Sequence, residues 1–234
     1  MDIFLLIIVF LIPYLLGSVN FSIVLSKAFK GDDIRNSGSG NAGATNMLRT
    51  YGKKLAILTL VFDILKGVVS VLFGTLLTYL VSKYVVSVGN EGIAVSHTVF
   101  SRIQGQLPYY TRIAAVGAIL GHNFPVYFGF KGGKGVATSF GTILTLNWQV
   151  GLISMLFALV IMTVTRYVSL GSVMGAIIFV ATELSYMIFT DSFSVGNLIF
   201  DIIIAALLIV RHHQNIKRLL NGTENKLGSK KEGK

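Results

Sequence analysis

Cysteine is absent from the 234 residues of this chain, which removes disulfides, thiolate metal ligands and cysteine nucleophiles from the chemistry open to it. Acidic residues are few: ten Asp and Glu stand against twenty Lys and Arg, and all charges together make up 13% of the sequence. An average soluble domain carries about 25%. What fills the chain instead is apolar, with 53% hydrophobic residues and a mean hydropathy of +0.72, the composition of an integral membrane protein. The net charge of +10 invites a nucleic-acid reading, but basic residues in membrane proteins more often mark cytoplasmic loops and contacts with anionic lipid. Their positions decide between the two.

Apolar runs extend over 3–25, 55–81, 113–128, 135–147, 149–165, 170–189 and 195–210, and a helix must cross about 30 Å of hydrocarbon. They predict an all-α fold of about seven transmembrane helices in a single polytopic domain, 1–234, with a basic tail from 212. The fourth run is short and abuts the fifth, so those two can form a tight hairpin, and six or eight crossings stay open. The first run lacks a basic segment before it and a clean small-residue cleavage site, so it is expected to stay attached. With seven spans, sixteen Lys and Arg fall on one side and only Lys83, Arg102 and Arg112 on the other, while Lys66 lies inside a span. The positive-inside rule then places the N-terminus out and the C-terminus in. Nucleic acid is not needed to explain the charge.

The six residues from Gly38 to Gly43 spell GxGxxG, the signature of a dinucleotide loop, and Asp63 even supplies an acid about 20 positions on. That motif needs a strand before it and a helix after it. Here it follows one membrane helix and leads into another, and Asp63 lies well inside that second helix. A Rossmann site is excluded, and "GFKGGKGVAT" does not meet the phosphate-loop spacing G-x-x-x-x-G-K-[ST] either.

Four unusual segments share the basic side: "SGSGNAGATNMLR" (37–49), "GHNFPVYFGFKGGKGVATS" (121–139), "TRYVSLGS" (165–172) and "RHHQNIKRLLNGTE" (211–224). Glycine, hydroxyls, carboxamides and cations with almost no acids form an anion-binding inventory. In the first, Gly38, Gly40 and Gly43 allow backbone N–H groups to form a nest, and Ser39, Asn41, Thr45 and Asn46 add side-chain donors. A helix starting there contributes its positive end, and Arg49 a bidentate clamp. A flexible linker is the plain alternative, and it leaves the Asn, Thr and Arg unexplained. In the second, Lys131 and Lys134 sit among Gly132, Gly133 and Gly135; a positive-inside turn accounts for the lysines but not for the glycines. His122 and Asn123 suit helix capping as well as function. In the third, Arg166 and Tyr167 fit interfacial anchors, while Ser169 and Ser172 lie one turn apart on the next helix. In the fourth, His212 and Asn215 share a helical face, against the alternative of a solvated basic tail. Asp63 and Lys66 are a further i,i+3 pair, and a structural ion pair is at least as natural a reading as a catalytic one.

These four segments resemble the motifs of the bacterial acyl-phosphate-dependent glycerol-3-phosphate acyltransferases, the PlsY family, over most of the chain. One departure is residues 83–110, an outer loop longer than the family's. The resemblance implies a seven-helix enzyme of the bacterial inner membrane with its active site at the cytoplasmic face. It implies transfer of an acyl group from acyl phosphate to the 1-hydroxyl of sn-glycerol 3-phosphate, giving lysophosphatidic acid and phosphate for phospholipid synthesis. The donor phosphate is then expected on Ser39, Gly40, Asn41, Gly43, Thr45 and Asn46, with Thr45 a principal contact. Glycerol phosphate is expected on Arg49, on Lys131 or Lys134, and on Ser169 or Ser172, with Ser39, His212 and Asn215 as the catalytic set. No metal and no cofactor is expected. Partners are the two substrates, membrane lipids and, transiently, enzymes that make acyl phosphate or use lysophosphatidate; the chain is expected to be a monomer that binds no nucleic acid.

An acyl phosphate is already activated, so positioning two anions and offsetting their repulsion is the main task, and no covalent nucleophile is required. The hydroxyl proton goes to a substrate phosphate oxygen or to His212; sequence does not choose. A transporter for a phosphorylated metabolite is the rival class, but it would place its site near the midplane and show repeated halves. A lipid-binding channel or scaffold explains the charges and not the Asn, Gly and Thr.

Overall fold

Seventeen residues from Asp2 to Ser18 form α1, apolar on nearly every side as lipid requires. Its continuation breaks at Val19–Asn20, because Asn20 turns extended (φ −88°, ψ 102°) and its side chain caps a new helix, α2 (Phe21–Lys30), by accepting from Ile23 N. The apolar run expected as one helix over 3–25 is therefore two helices, and the second reaches Lys30. The computed structural model describes residues 2–90 and 97–228, and no strand occurs among them. After α2 come a 3₁₀ turn (Ile34–Asn36), α3 (Ala44–Tyr51), α4 (Lys53–Asn90), α5 (His97–Asn123), a second 3₁₀ turn (Val126–Phe128), α6 (Val136–Leu146), α7 (Trp148–Thr165), α8 (Val168–Phe189), α9 (Val195–Arg211) and α10 (His213–Leu220).

The expected outer loop at 83–110 is not a loop over most of its length. α4 runs on to Asn90 and α5 already begins at His97; the intervening 91–96 lie outside the described residues. Length and apolarity qualify Ile3–Lys30, Lys53–Val81, Trp148–Thr165 and Val168–Phe189 as spans, and α9 with α10, bent by 60°, as a fifth. α6 has 11 residues, about 16 Å of helix, roughly half of a hydrocarbon core. The fold is thus an all-helical, multi-pass membrane protein.

Contacts divide the chain into two compact units, residues 1–146 and 147–234. In the first, α1 packs on α5 and α4, and α4 also packs on α3 and α6. Lipid provides no hydrophobic drive between helices, so close approach matters. Gly117 and Gly121 of α5 lie against the Phe10 and Tyr14 carbonyls of α1, where a Cβ would overlap them. At one end of this unit a small core joins Ile23, Leu25, Ile34, Ala42, Met47, Leu55 and Ala56, with Phe21, Tyr51 and Phe128 against it. Ile34 and Ala42 belong to the polar loop between α2 and α3, so this core anchors that loop.

The second unit is a helical hairpin, α7 and α8, with α9 and α10 on α8. Gly171 and Gly175 let α8 approach Ala158 and Met162 of α7. Asn147 caps α7 through Val150 N, and Arg166 ends it in a left-handed conformation (φ 63°). Leu156, Phe157, Val160 and Val164 of α7 are exposed, a lipid-facing surface.

Candidate active site

The loop between α2 and α3 is shaped by one buried carboxamide. Asn46 donates to Ile34 O (3.1 Å) and Ser37 O (2.9 Å) and accepts from Ser39 N (2.8 Å). The left-handed Gly38 (φ 62°) and Gly40 (φ 70°) make the reversals around it. Three of the N–H groups expected in an open nest are consequently used within the loop: Ser39 by Asn46, Gly40 by Ser37 O and Gly43 by Asn41 O. Donors instead gather at the first turn of α3, which extended Gly43 (φ −168°) precedes with no side-chain cap. Ser39 and Gly40 are exposed, Asn41 and Thr45 half-buried, and Arg49 exposed on the same helix. Anions are favoured at an uncapped helix N-terminus.

The segment after α5 lies beside this loop. Arg35 Nη1 donates to Phe128 O (2.8 Å) and Lys131 O (2.9 Å), while its Nε and Nη2 hold Asp33 Oδ1 (3.0 Å) and Oδ2 (2.8 Å). The Arg35 hydrogen bond, working against burial and helped by the Arg35 charge and by Lys27, brings the Asp33 carboxyl down to about 2. Gly133 is buried between the His122 ring and the Ala42 carbonyl, and a Cβ there would collide with both. Its N–H donates to His122 O (3.1 Å). Lys131 is exposed and Lys134 half-buried.

Under these loops lies the intramembrane pair. Lys66 Nζ meets Asp63 Oδ1 at 2.7 Å, His122 Nδ1 at 3.0 Å and the Val19 carbonyl at 2.9 Å. All three groups come from different helices or their ends, so the cluster joins α4, the α1–α2 break and the end of α5. Lys66 Nζ thus has three close polar partners, the arrangement of a buried ion pair, and the His122 ring of the same cluster lies against Gly133.

In the second unit, Glu224 gathers the polar residues. It accepts from Ser169 Oγ (2.8 Å) and Asn215 Nδ2 (2.7 Å) on one oxygen and from Arg218 Nε (2.6 Å) on the other. Burial pushes the Glu224 carboxyl up, but the bonds from Asn215, Arg218 and Ser169 and the Arg218 charge outweigh it, leaving the group below the ordinary glutamate range. The tail is also tied to the α7–α8 turn by Leu227 N to Arg166 O (2.7 Å) and Arg166 Nη2 to Leu227 O (2.9 Å). Ser172 turns its hydroxyl back to Val168 O (2.9 Å). His212 is buried at the bend between α9 and α10 with Nδ1 2.8 Å from Leu208 O. A carbonyl only accepts, so Nδ1 carries a proton and the lone pair of a neutral His212 is on Nε2.

The structure therefore brings Ser39, Asn41, Thr45, Asn46 and the Lys131 segment into one neighbourhood of the first unit, and Ser169 and Asn215 onto one carboxylate in the second. Arg35, Asp33 and Glu224 were not singled out from sequence. One of only two acids in a basic tail, beside Glu232, was the available signal for Glu224; Arg35 offered none, being one basic loop residue among several.

Helices of this apolarity carrying polar, glycine-rich and cation-bearing loops define an integral membrane protein whose loops are chemically suited to anions. A family model described as glycerol-3-phosphate acyltransferase matches residues 7–222, and the chain belongs to that family. Similar proteins include glycerol-3-phosphate acyltransferases from Thermoanaerobacter pseudethanolicus, 41% identical over 95% of this chain and 96% of that one, and from Clostridioides difficile, 39% identical over 99% and 100%. Among solved structures, the integral membrane glycerol 3-phosphate acyltransferase PlsY (YgiH) in its glycerol 3-phosphate form is similar, with TM-score 0.72, 36% identity and coverage of 97% of this chain and 95% of that one. Its lysophosphatidic acid form has TM-score 0.69 at 34% identity, with the same coverage.

Proposed function

We propose that this chain transfers an acyl group from acyl phosphate to the 1-hydroxyl of sn-glycerol 3-phosphate, releasing lysophosphatidic acid and inorganic phosphate at the cytoplasmic face of a bacterial inner membrane. The observation that carries the reading is the α2–α3 loop. Asn46 and two left-handed glycines set Ser39, Asn41 and Thr45 around the uncapped first turn of α3, and the lysine-bearing 131–134 segment is fastened alongside. Forms of the similar PlsY are described with glycerol 3-phosphate and with lysophosphatidic acid, one substrate and one product of this reaction.

In this reading the first turn of α3, with Ser39, Asn41 and Thr45, holds the donor phosphate, and Asn46 keeps the loop in shape. Arg49, Lys131 or Lys134, and Ser169 or Ser172 hold glycerol phosphate. The glycerol oxygen attacks the acyl carbon, the bond from that carbon to the phosphate oxygen breaks, and phosphate leaves. The hydroxyl proton passes to a phosphate oxygen or to Nε2 of His212, with Asn215 beside it in sequence on α10. Preorganised donors at the departing phosphate stabilise the charge that develops there. The chain is read as one membrane domain of seven crossings, N-terminus out, so that the four polar segments share the basic side; tags at residues 1 and 234 reporting the same side would refute this.

The deciding experiment uses purified protein in detergent with glycerol 3-phosphate and, in turn, palmitoyl phosphate, palmitoyl-coenzyme A and palmitoyl-carrier protein, following phosphate and free thiol separately. Phosphate is expected in step with lysophosphatidic acid from the first donor only. Thiol release from either thioester overturns the donor assignment, and absence of product from all three overturns the enzyme reading in favour of transport.

A further inference from the structure

We propose that Arg35 is a positioning residue of acyl transfer, locking the lysine-bearing 128–131 turn to the glycine-rich loop without itself binding substrate. The inference rests on the reading above, in which this turn presents a lysine to glycerol phosphate. Arg35 is 93 and 96 residues from the two carbonyls it grips, Phe128 O and Lys131 O. Between those carbonyls the chain reverses through two consecutive left-handed residues, Gly129 (φ 66°) and Phe130 (φ 59°). Glycine adopts this conformation without strain; phenylalanine does not, and such a residue persists only where its surroundings hold it.

The surroundings are identifiable. Phe130 N donates to Pro125 O (2.9 Å), as does Phe128 N (3.1 Å), and Arg35 clamps both ends of the reversal from the side of the other loop. Arg35 is itself fixed. Two of its nitrogens hold the two Asp33 oxygens, and Asp33 also accepts from Arg35 N (3.1 Å) as the cap of the 3₁₀ turn, with Lys27 Nζ 3.4 Å away. Four of the five guanidinium N–H groups are thereby engaged, so little capacity is left for a phosphate. A lysine at this position would keep the charge and lose the planar fork that reaches one carboxylate and two carbonyls together. The device is geometric, and charge alone does not replace it.

The test is kinetic, on the full-length protein in detergent. Arg35→Lys is expected to raise KM for glycerol 3-phosphate by about tenfold or more and to leave KM for palmitoyl phosphate within about twofold. A normal glycerol-phosphate KM in Arg35→Lys would show that charge suffices and would overturn the proposal. Lys131→Ala and Lys134→Ala report on the underlying reading: if neither raises that KM, the reading of the segment fails, whereas a lysine defect beside a normal Arg35→Lys refutes only the role of Arg35. Combining Arg35→Lys with whichever lysine variant is defective should add no further loss, and multiplicative losses would show that Arg35 acts independently. Because the chain has no cysteine, a single Tyr127→Cys carrying a nitroxide gives a readout separate from turnover. Arg35→Lys should sharpen its spectrum as the turn loosens, and an unchanged spectrum counts against the proposal.

Discussion

Replacing Lys66 by Met removes one half of a charge pair enclosed by three helices and tests what that pair does. Side-chain exposure is 5% for Lys66 and 2% for Asp63, with 2.7 Å between Nζ and Oδ1. Lys66→Met strands the Asp63 carboxylate and deletes the bonds to Val19 O and His122 Nδ1. Breaking a buried pair by removing one partner typically costs about 3–5 kcal/mol, and for a chain of this size each kcal/mol moves Tm by about 2–4 °C. Thermal unfolding in detergent should therefore fall by roughly 6–20 °C. Asp63→Leu should fall similarly. The double variant Asp63→Leu/Lys66→Met has no uncompensated charge, and should regain at least half of the loss, the remainder reflecting the bonds to Val19 and His122. A single variant melting within about 2 °C of the wild type, or a double variant as unstable as the worse single one, would refute the compensation argument. Recovery of Tm without recovery of turnover would instead assign the cluster a part in catalysis.

Gly133→Ala places a Cβ against the His122 ring and the Ala42 carbonyl, while Gly129→Ala meets nothing within 4 Å and bears only the cost of its φ of 66°. Overpacking costs about 1–3 kcal/mol, so Gly133→Ala should lower both Tm and turnover, and Gly129→Ala should be the milder in both assays. Asn46→Ala deletes three loop hydrogen bonds, about 3 kcal/mol at about 1 each, and should lower Tm as well as activity; Thr45→Ala should lower turnover with Tm unchanged. The depressed Glu224 carboxyl stabilises the folded tail fully above its unfolded value near 4.5 and loses that contribution as pH falls through the lower folded value. Limited proteolysis of the 221–228 segment should thus be flat between pH 7 and 5 and rise in more acid solution, and Glu224→Gln should raise cleavage at pH 7 and flatten the acid response.

Apolar runs and the scarcity of acids determined from sequence that this is a helical membrane protein, because only a helix satisfies its own backbone where water is absent. Glycine, Asn and Thr loops next to cations likewise announced anion chemistry, since those residue types serve it whatever the detailed path of the chain. Side-chain partners were a different matter. Asn20 ends one helix and caps the next inside an unbroken apolar run, and composition cannot register a single cap. Asn46 read as a ligand donor, yet its amide holds the loop together, because which of two hydrogen-bonding tasks a carboxamide performs depends on what the backbone brings within 3 Å. Arg35 looked like one basic loop residue among several, and Glu224 like a stray acid in a basic tail. Their roles arise from carbonyls more than ninety residues away in one case and from a serine of an earlier helix in the other. Composition states which groups a membrane can hold and which ligands they suit; only the packed chain decides which of those groups are left facing the substrate.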